Sequence, residues 1–301
     1  DEQGQVVETR DPFAEETIKM ANPAFGIFQN TRVLLKMADR AKRMPSREAP
    51  YRNLILNQRV ETSSPFVTKK VWDANSAEHE GFGVCYGGLD LSDCNDLTAF
   101  VLVSTMNDAV SIKPTFWLPE KDLKERSRMD RVPYDRWAEQ GLIQLTDGAS
   151  IEYRDVAKFL RQQFLDHDIR KIAFDRWNMR HLRPWLIDAG LSEAFVDDRF
   201  VDFGQGFVSM SPALRTLEGV LLNERGRHQS HPVLNMCAAN AVVKSDEAGN
   251  RKLDKKRSRG RIDGMVALAM AAAVQEEDLK LGKVYQVDPA DFLEDLQAAS
   301  A

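Results

Sequence analysis

Three aspartates stand at the ends of apolar runs that lie far apart in the chain. They are Asp90 in Tyr86-Gly87-Gly88-Leu89-Asp90-Leu91-Ser92, Asp175 in Lys171-Ile172-Ala173-Phe174-Asp175, and Asp263 in Gly260-Arg261-Ile262-Asp263-Gly264. Carboxylate oxygens suit hard divalent cations, and a pair of such cations can clamp the attacking and leaving oxygens of a phosphodiester during hydrolysis. Residues this distant in sequence can share a cation only if the fold brings them together. A basic run of Arg251, Lys252, Lys255, Lys256, Arg257, Arg259 and Arg261, interrupted by Asp254, ends immediately before Asp263. Such a run supplies the charge that holds phosphate, and it sits beside a carboxylate suited to metal.

Each signal also has an ordinary structural use. Asp90 could cap a turn at residues 92–95, and Asp175 could cap the helix that begins nearby. An acid in the first turn of a helix, as at Asp263, is favoured by the helix dipole. The basic run could be a solvated loop. Gly264, beside Asp263, has no side chain to bar a second chain or a sugar-phosphate backbone from approaching.

The elements that must position these groups follow from the residue pattern. Runs rich in β-branched and aromatic residues predict strands over Val84 to Leu91, Leu97 to Thr105 and Ile112 to Leu118, forming an antiparallel meander. By the strand period of two, Val84, Tyr86, Gly88 and Asp90 share one face, and Cys85, Gly87 and Leu89 the other. A carboxylate on an otherwise apolar strand needs a charged partner or a cation. Helices are predicted at residues 152–166, with Val156, Phe159, Leu160, Phe164 and Leu165 as the buried stripe, at 179–189, and from Ile262 into the 270s. A further helix is expected from Pro212 to Arg227, with Ser211 as its cap and Pro212 at the first position. Strands are expected at 171–174 and 195–203, and a hairpin pairs 240–243 with 251–253 across a turn at 247–250. Before residue 78 the pattern changes: Val33, Leu34, Met37, Ala38 and Ala41 predict a helix over 31–44, broken by Pro45 and Pro50, in an arm ending near Trp72.

Composition narrows the class of protein. The 301 residues carry 46 acidic and 41 basic side chains, a net charge of -5, so any nucleic-acid surface must be a local patch. Cys85, Cys94 and Cys237 are scattered and odd in number, which argues against a disulfide framework or a structural zinc site and for a reducing compartment. His228 and His231 have no third ligand nearby. The apolar stretch 264–274 is too short to span a bilayer and the first residues do not read as a secretory signal, so a soluble chain with no membrane association is expected. Gly81-x-Gly83 and Gly204-x-Gly206 are bare glycine pairs, and no phosphate-binding loop of the nucleotide-hydrolase type occurs.

In order and wording, the three aspartate motifs resemble the C-terminal half of the large terminase subunit of tailed double-stranded DNA phages. Residues 95–99, 21–26 and 54–72 carry further likeness, the last two to the segment that joins motor to nuclease in that family. The resemblance implies an α/β fold, a ribonuclease H-like mixed sheet flanked by helices with a small N-terminal helical or irregular segment. It divides the chain into a linker at 1–78, a nuclease domain at 79–278 and an acidic tail at 279–301.

The resemblance further implies an endonuclease that cuts concatemeric double-stranded viral DNA during packaging, in the host cytoplasm. Asp90, Asp175 and Asp263 would ligate two divalent cations, Mg²⁺ or Mn²⁺, and Lys255, Lys256, Arg257 and Arg259 would hold the DNA backbone. Asp96 is either a supplementary acid or a turn residue. The partners implied are DNA, the small terminase subunit and the capsid portal, with oligomers only through a motor domain whose nucleotide-binding motifs this chain lacks. Two other readings stay open: a junction resolvase or transposase-like nuclease of the same fold, and a non-catalytic docking module of the packaging motor. If three bare carboxylates converge, removing one relieves repulsion and raises the stability of the metal-free chain.

Overall fold

The computed structural model describes residues 10–43, 51–52, 54–58, 65–92, 97–246 and 248–281. The chain folds as two compact units, residues 1–65 and 66–301. In the first, helices α1 (Glu15–Ala21) and α2 (Thr31–Arg43) bury Ile18, Leu34, Ala38 and Ala41 together with Tyr51 and Leu56. Leu34, Ala38 and Ala41 recur at helical spacing, which gives α2 its single apolar face. The Tyr51 hydroxyl donates to the carbonyl of Pro12 at 2.8 Å.

The second unit begins with α3 (Lys69–Asp73), whose buried Trp72 donates its indole N–H to Asn235 Oδ1 at 2.8 Å. Strands β1 (Val84–Asp90), β2 (Thr98–Met106) and β3 (Ala109–Pro119) form the antiparallel meander. Helices α4 (Leu123–Asp130) and α5 (Tyr134–Glu139) follow, then β4 (Gln144–Thr146), α6 (Tyr153–Asp166), β5 (Asp168–Phe174), α7 (Arg176–Asp188), α8 (Glu193–Arg199) and β6 (Phe200–Asp202). The remainder is α9 (Phe207–Leu222), β7 (Gly226–Arg227), α10 (Pro232–Asn240), the hairpin of β8 (Val243–Ser245) and β9 (Arg251–Leu253), and α11 (Asp263–Lys280).

One mixed sheet of order β4-β3-β2-β1-β5-β6, with β7 pairing β3, organises this unit. On one face Tyr86, Val101, Val103 and Ile112 pack with α9, α10 and α11; on the other Leu89, Phe100, Leu102 and Trp117 pack with α6, α7 and α8. Burial on both faces explains why the central strands are apolar almost throughout and why polarity within them is informative. β1 lies parallel to β5, and β5 to β6, with Leu89 opposite Phe174 and Phe174 opposite Asp202. The C-terminal ends of all three strands therefore open at one edge, where ligands of open α/β sheets commonly bind.

Three expectations are corrected. Residues 195–203 do not form one strand, because the Ser192 hydroxyl accepts the N–H of Phe195 at 3.1 Å and starts α8, leaving only Phe200–Asp202 as β6. Phe195 and Val196 serve the buried face of a short helix, a use that their apolar character allows as readily as a strand. Pro212 does not open a helix: α9 begins five residues earlier at Phe207, carries Pro212 inside, and ends at Leu222 before β7. The hairpin's first strand starts at Val243 and not at residue 240, because Asn240 still belongs to α10. Within the hairpin turn Glu247 lies outside the described residues, as do Cys94, Asp96 and residues 282–301.

Candidate active site

Helix α11 is buried almost all round from Asp263 to Ala272, as its run of alanine, methionine and valine requires. It crosses β1 at very short range. A Cβ placed on Gly88 would lie 1.9 Å from the Ala267 carbonyl oxygen, so only glycine on the strand admits the helix backbone. This contact sets the height of α11 over the sheet. The first residue of the helix, Asp263, and the last of β1, Asp90, thereby reach the same place.

Both aspartates are buried, Asp263 at 1% and Asp90 at 3% exposure, and one ammonium joins them. Lys255 Nζ lies 2.8 Å from Asp90 Oδ2 and 2.7 Å from Asp263 Oδ1, so the two carboxylates can be no farther apart than those distances together. The Lys255 side chain stays 40% exposed, reaching in from the mouth of the site. Burial of the ammonium alone would lower its pKa; the attraction of Asp90 and Asp263 outweighs that and raises it. The other oxygen of Asp90 accepts from Gln205 Nε2 at 3.0 Å. Repulsion between bare carboxylates, expected from the sequence, is thus compensated for this pair by a charge that the spacing of the aspartates does not reveal. The expected gain in stability on removing one of them loses its physical basis.

Asp175 directly follows β5, and Leu89 pairs with Phe174, so it leaves the sheet at the same edge as Asp90 on the neighbouring strand. Adjacent strands are about 4.8 Å apart. Asp202, the last residue of β6, pairs with Phe174 and brings a further acid to this edge. Among the described residues no group of three or more His, Cys, Asp and Glu side chains is placed to hold a metal ion. The structure therefore brings Asp90 and Asp263 onto one charge and sets Asp175 at the same sheet edge.

The basic run separates into distinct uses. Arg251 makes a bidentate pair with Glu218 on α9, both contacts at 2.5 Å, and Lys252 lies over the Phe207 ring. Lys255 holds the two aspartates, while Arg261 pairs with Asp130 at 3.2 Å. Lys256, Arg257 and Arg259 are exposed. Asp254 shapes the loop: its carboxylate accepts the backbone N–H groups of Lys256 and Arg257, and its carbonyl accepts the Ser258 hydroxyl. A cleft of about 370 Å³ runs between this loop and α4–α5, lined among others by Met129, Asp130, Tyr134, Lys255, Arg259 and Asp263.

Gly264 has a different role from the one its sequence suggests. A Cβ there would meet Phe116 at 2.9 Å and Leu234 at 3.0 Å, so the glycine admits core side chains beneath the helix and not an incoming backbone. Cys237, packed near Asp263, is a buried thiol whose pKa is pushed up by burial and by that carboxylate. Cys85 is likewise buried and raised to about 12. His228 is neutral and structural: its Nδ1 accepts the Ser230 N–H, its Nε2 faces the Trp72 carbonyl, and its ring stacks on the Trp72 indole at 4.1 Å.

Sequence reasoning missed Gln205 and the pairing of Lys255. The one available signal for Gln205 was its place between Gly204 and Gly206, in the short connection that follows β6.

A family model described as terminase large subunit, endonuclease domain, matches residues 6–278. The terminase large subunit of Enterobacteria phage HK97 is 47% identical over 253 residues, covering 83% of this chain and 49% of that protein. Protein YmfN of Escherichia coli (strain K12) is 24% identical over 272 residues, covering 85% of this chain and 58% of that protein. The crystal structure of the HK97 bacteriophage large terminase matches with a TM-score of 0.66 at 44% identity, over 89% of this chain and 55% of that one. The chain spans about half the length of the curated relatives it matches.

Proposed function

This chain belongs to the family of the terminase large subunit endonuclease domain, and from that premise we propose that it is a metal-dependent endonuclease cutting concatemeric double-stranded viral DNA during genome packaging. Its mixed sheet flanked by helices is the ribonuclease H-like fold. One observation carries the reading: two buried carboxylates, delivered by β1 and α11, converge on a single positive charge at the end of a cleft walled by a basic loop.

The donors fit a hard divalent cation in kind, since they are carboxylate oxygens, desolvated, and already gathered around a cation. Asp90 and Asp263, with Asp175 from the adjacent strand, would hold Mg²⁺ or Mn²⁺. Metal bound by these residues would supply an activated water and stabilisation of the leaving 3′-oxygen. Gln205 fixes the orientation of Asp90 by holding one of its oxygens, and Asp263 sits in the first turn of α11, where the helix dipole favours negative charge. Lys256, Arg257 and Arg259 take the phosphodiester backbone and lead it along the cleft, which makes the grip tolerant of sequence. In the whole protein the same domain would work with a motor, the small terminase subunit and the capsid portal, in the host cytoplasm.

The test is cleavage of plasmid DNA by the purified chain with Mn²⁺ or Mg²⁺. Conversion of supercoiled DNA to nicked and linear forms, abolished by chelation and by Asp90→Asn or Asp263→Asn, is the expected result. Undiminished cutting by either variant, or no cutting by the wild type with either metal, overturns the assignment.

A further inference from the structure

Lys255 sits where a metal-binding site offers its attraction, between the oxygens of two buried carboxylates from different elements. We propose that Lys255 is a tethered stand-in for a cation: without metal its ammonium holds Asp90 and Asp263 together, and a divalent ion binds them only by displacing it. This rests on the nuclease reading above, because it takes those two aspartates as the metal-binding pair.

Three observations support the exchange. The ammonium donates to one oxygen of each aspartate, so it spans the gap between them and does not pair with one alone. Its side chain remains 40% exposed, so a path toward solvent is open to it. Asp90 remains held by Gln205 when the lysine leaves, which preserves the orientation of one of its oxygens for the incoming ion.

The device has a purpose that follows from electrostatics. Two desolvated carboxylates without a counter-charge repel each other, which would drive the pair apart before metal arrives. A tethered ammonium prevents this at the cost of competing with the metal. The chain trades affinity for a site that is formed in advance.

The experiment compares wild type, Lys255→Met and Lys255→Arg by calorimetric titration with Mn²⁺ and by thermal unfolding in chelator. Charged hydrogen bonds of this kind make removal of the competitor tighten Mn²⁺ binding by about tenfold or more. The methionine variant should also melt earlier than wild type in chelator, and added Mn²⁺ should raise its Tm by more. Arginine keeps the charge, so its metal-free Tm should lie closer to wild type; this variant keeps the test usable if methionine folds poorly. Mn²⁺ binding by Lys255→Met that is equal to or weaker than wild type refutes the stand-in role and leaves the nuclease reading intact. Absence of Mn²⁺ binding in wild type and both variants overturns both.

Discussion

Replacing Gly88 by alanine adds one methyl group at the point where α11 crosses β1. That carbon would lie 1.9 Å from the Ala267 carbonyl oxygen, 2.8 Å from the Ala271 nitrogen and 2.9 Å from the Ala267 carbonyl carbon. All three are helix backbone, so no side chain can rotate away; the helix itself must retreat by at least about 1 Å to restore an ordinary contact. Overpacking a core costs about 1–3 kcal/mol, and a rigid obstacle places this case near the upper end. At roughly 2–4 °C per kcal/mol for a domain of this size, the expected fall in Tm is about 6–12 °C. Because Asp263 rides on the displaced helix and Asp90 on the strand, their separation changes too, and a misplacement of about 1 Å lowers the cleavage rate by about 100-fold. Thermal unfolding and plasmid cleavage in Mn²⁺ measure the two effects. A Gly88→Ala protein that melts within about 2 °C of wild type and cuts DNA at a comparable rate would refute the claim that this contact sets the site. Gly219→Ala is the matched control: nothing lies within 4 Å of its added carbon, and its place inside α9 predicts a gain of about 0.5–1 kcal/mol.

Further outcomes are expected. Gln205→Ala removes one of the hydrogen bonds that orient Asp90, and should slow cleavage by about tenfold while leaving DNA affinity unchanged in a filter-binding assay; equal loss of affinity would instead mark Gln205 as a DNA contact. The triple change Lys256→Ala, Arg257→Ala, Arg259→Ala should weaken binding to all duplexes alike and reduce the slope of log K against log salt by about 2–3, whereas an unaltered slope would place DNA elsewhere. His231 is held down to about 4 by burial, so the unfolded chain binds its proton more readily than the folded one. Stability should therefore fall as pH drops from about 6.5 towards 4. In urea titrations across that range, His231→Phe should flatten the decline, and an unchanged pH slope in the variant would remove His231 as a cause.

The parts of the site that are legible in the sequence are those carried by periodicity. Alternation along β1 puts Asp90 on the same face as Gly88, and that face receives α11. The long apolar run after Asp263 announces a buried helix whose first residue would be buried with it. Gln205 is not legible, because an amide in a short connection belongs to no periodic pattern and its partner lies 115 residues away. The run of positive charge from 251 to 261 conceals different roles, since charge alone does not state which way each side chain points: Arg251 turns to Glu218, Lys255 inward, and Arg261 to Asp130. Residues 195–199 read as strand because aromatic and β-branched residues suit either kind of buried surface, and the deciding cap at Ser192 is a local bond.

The loop from Lys255 to Asp263 has a mechanical consequence, because its two ends are bonded to each other. The Lys255–Asp263 ion pair closes a ring of nine residues, and Asp254 pins its beginning through two backbone amides. A short closed segment has already lost most of its freedom, so little remains to be surrendered when Lys256, Arg257 and Arg259 meet a ligand. In the metal-free chain the ring thus presents a grip set in advance for phosphate, and a cation that displaces Lys255 opens it at one end.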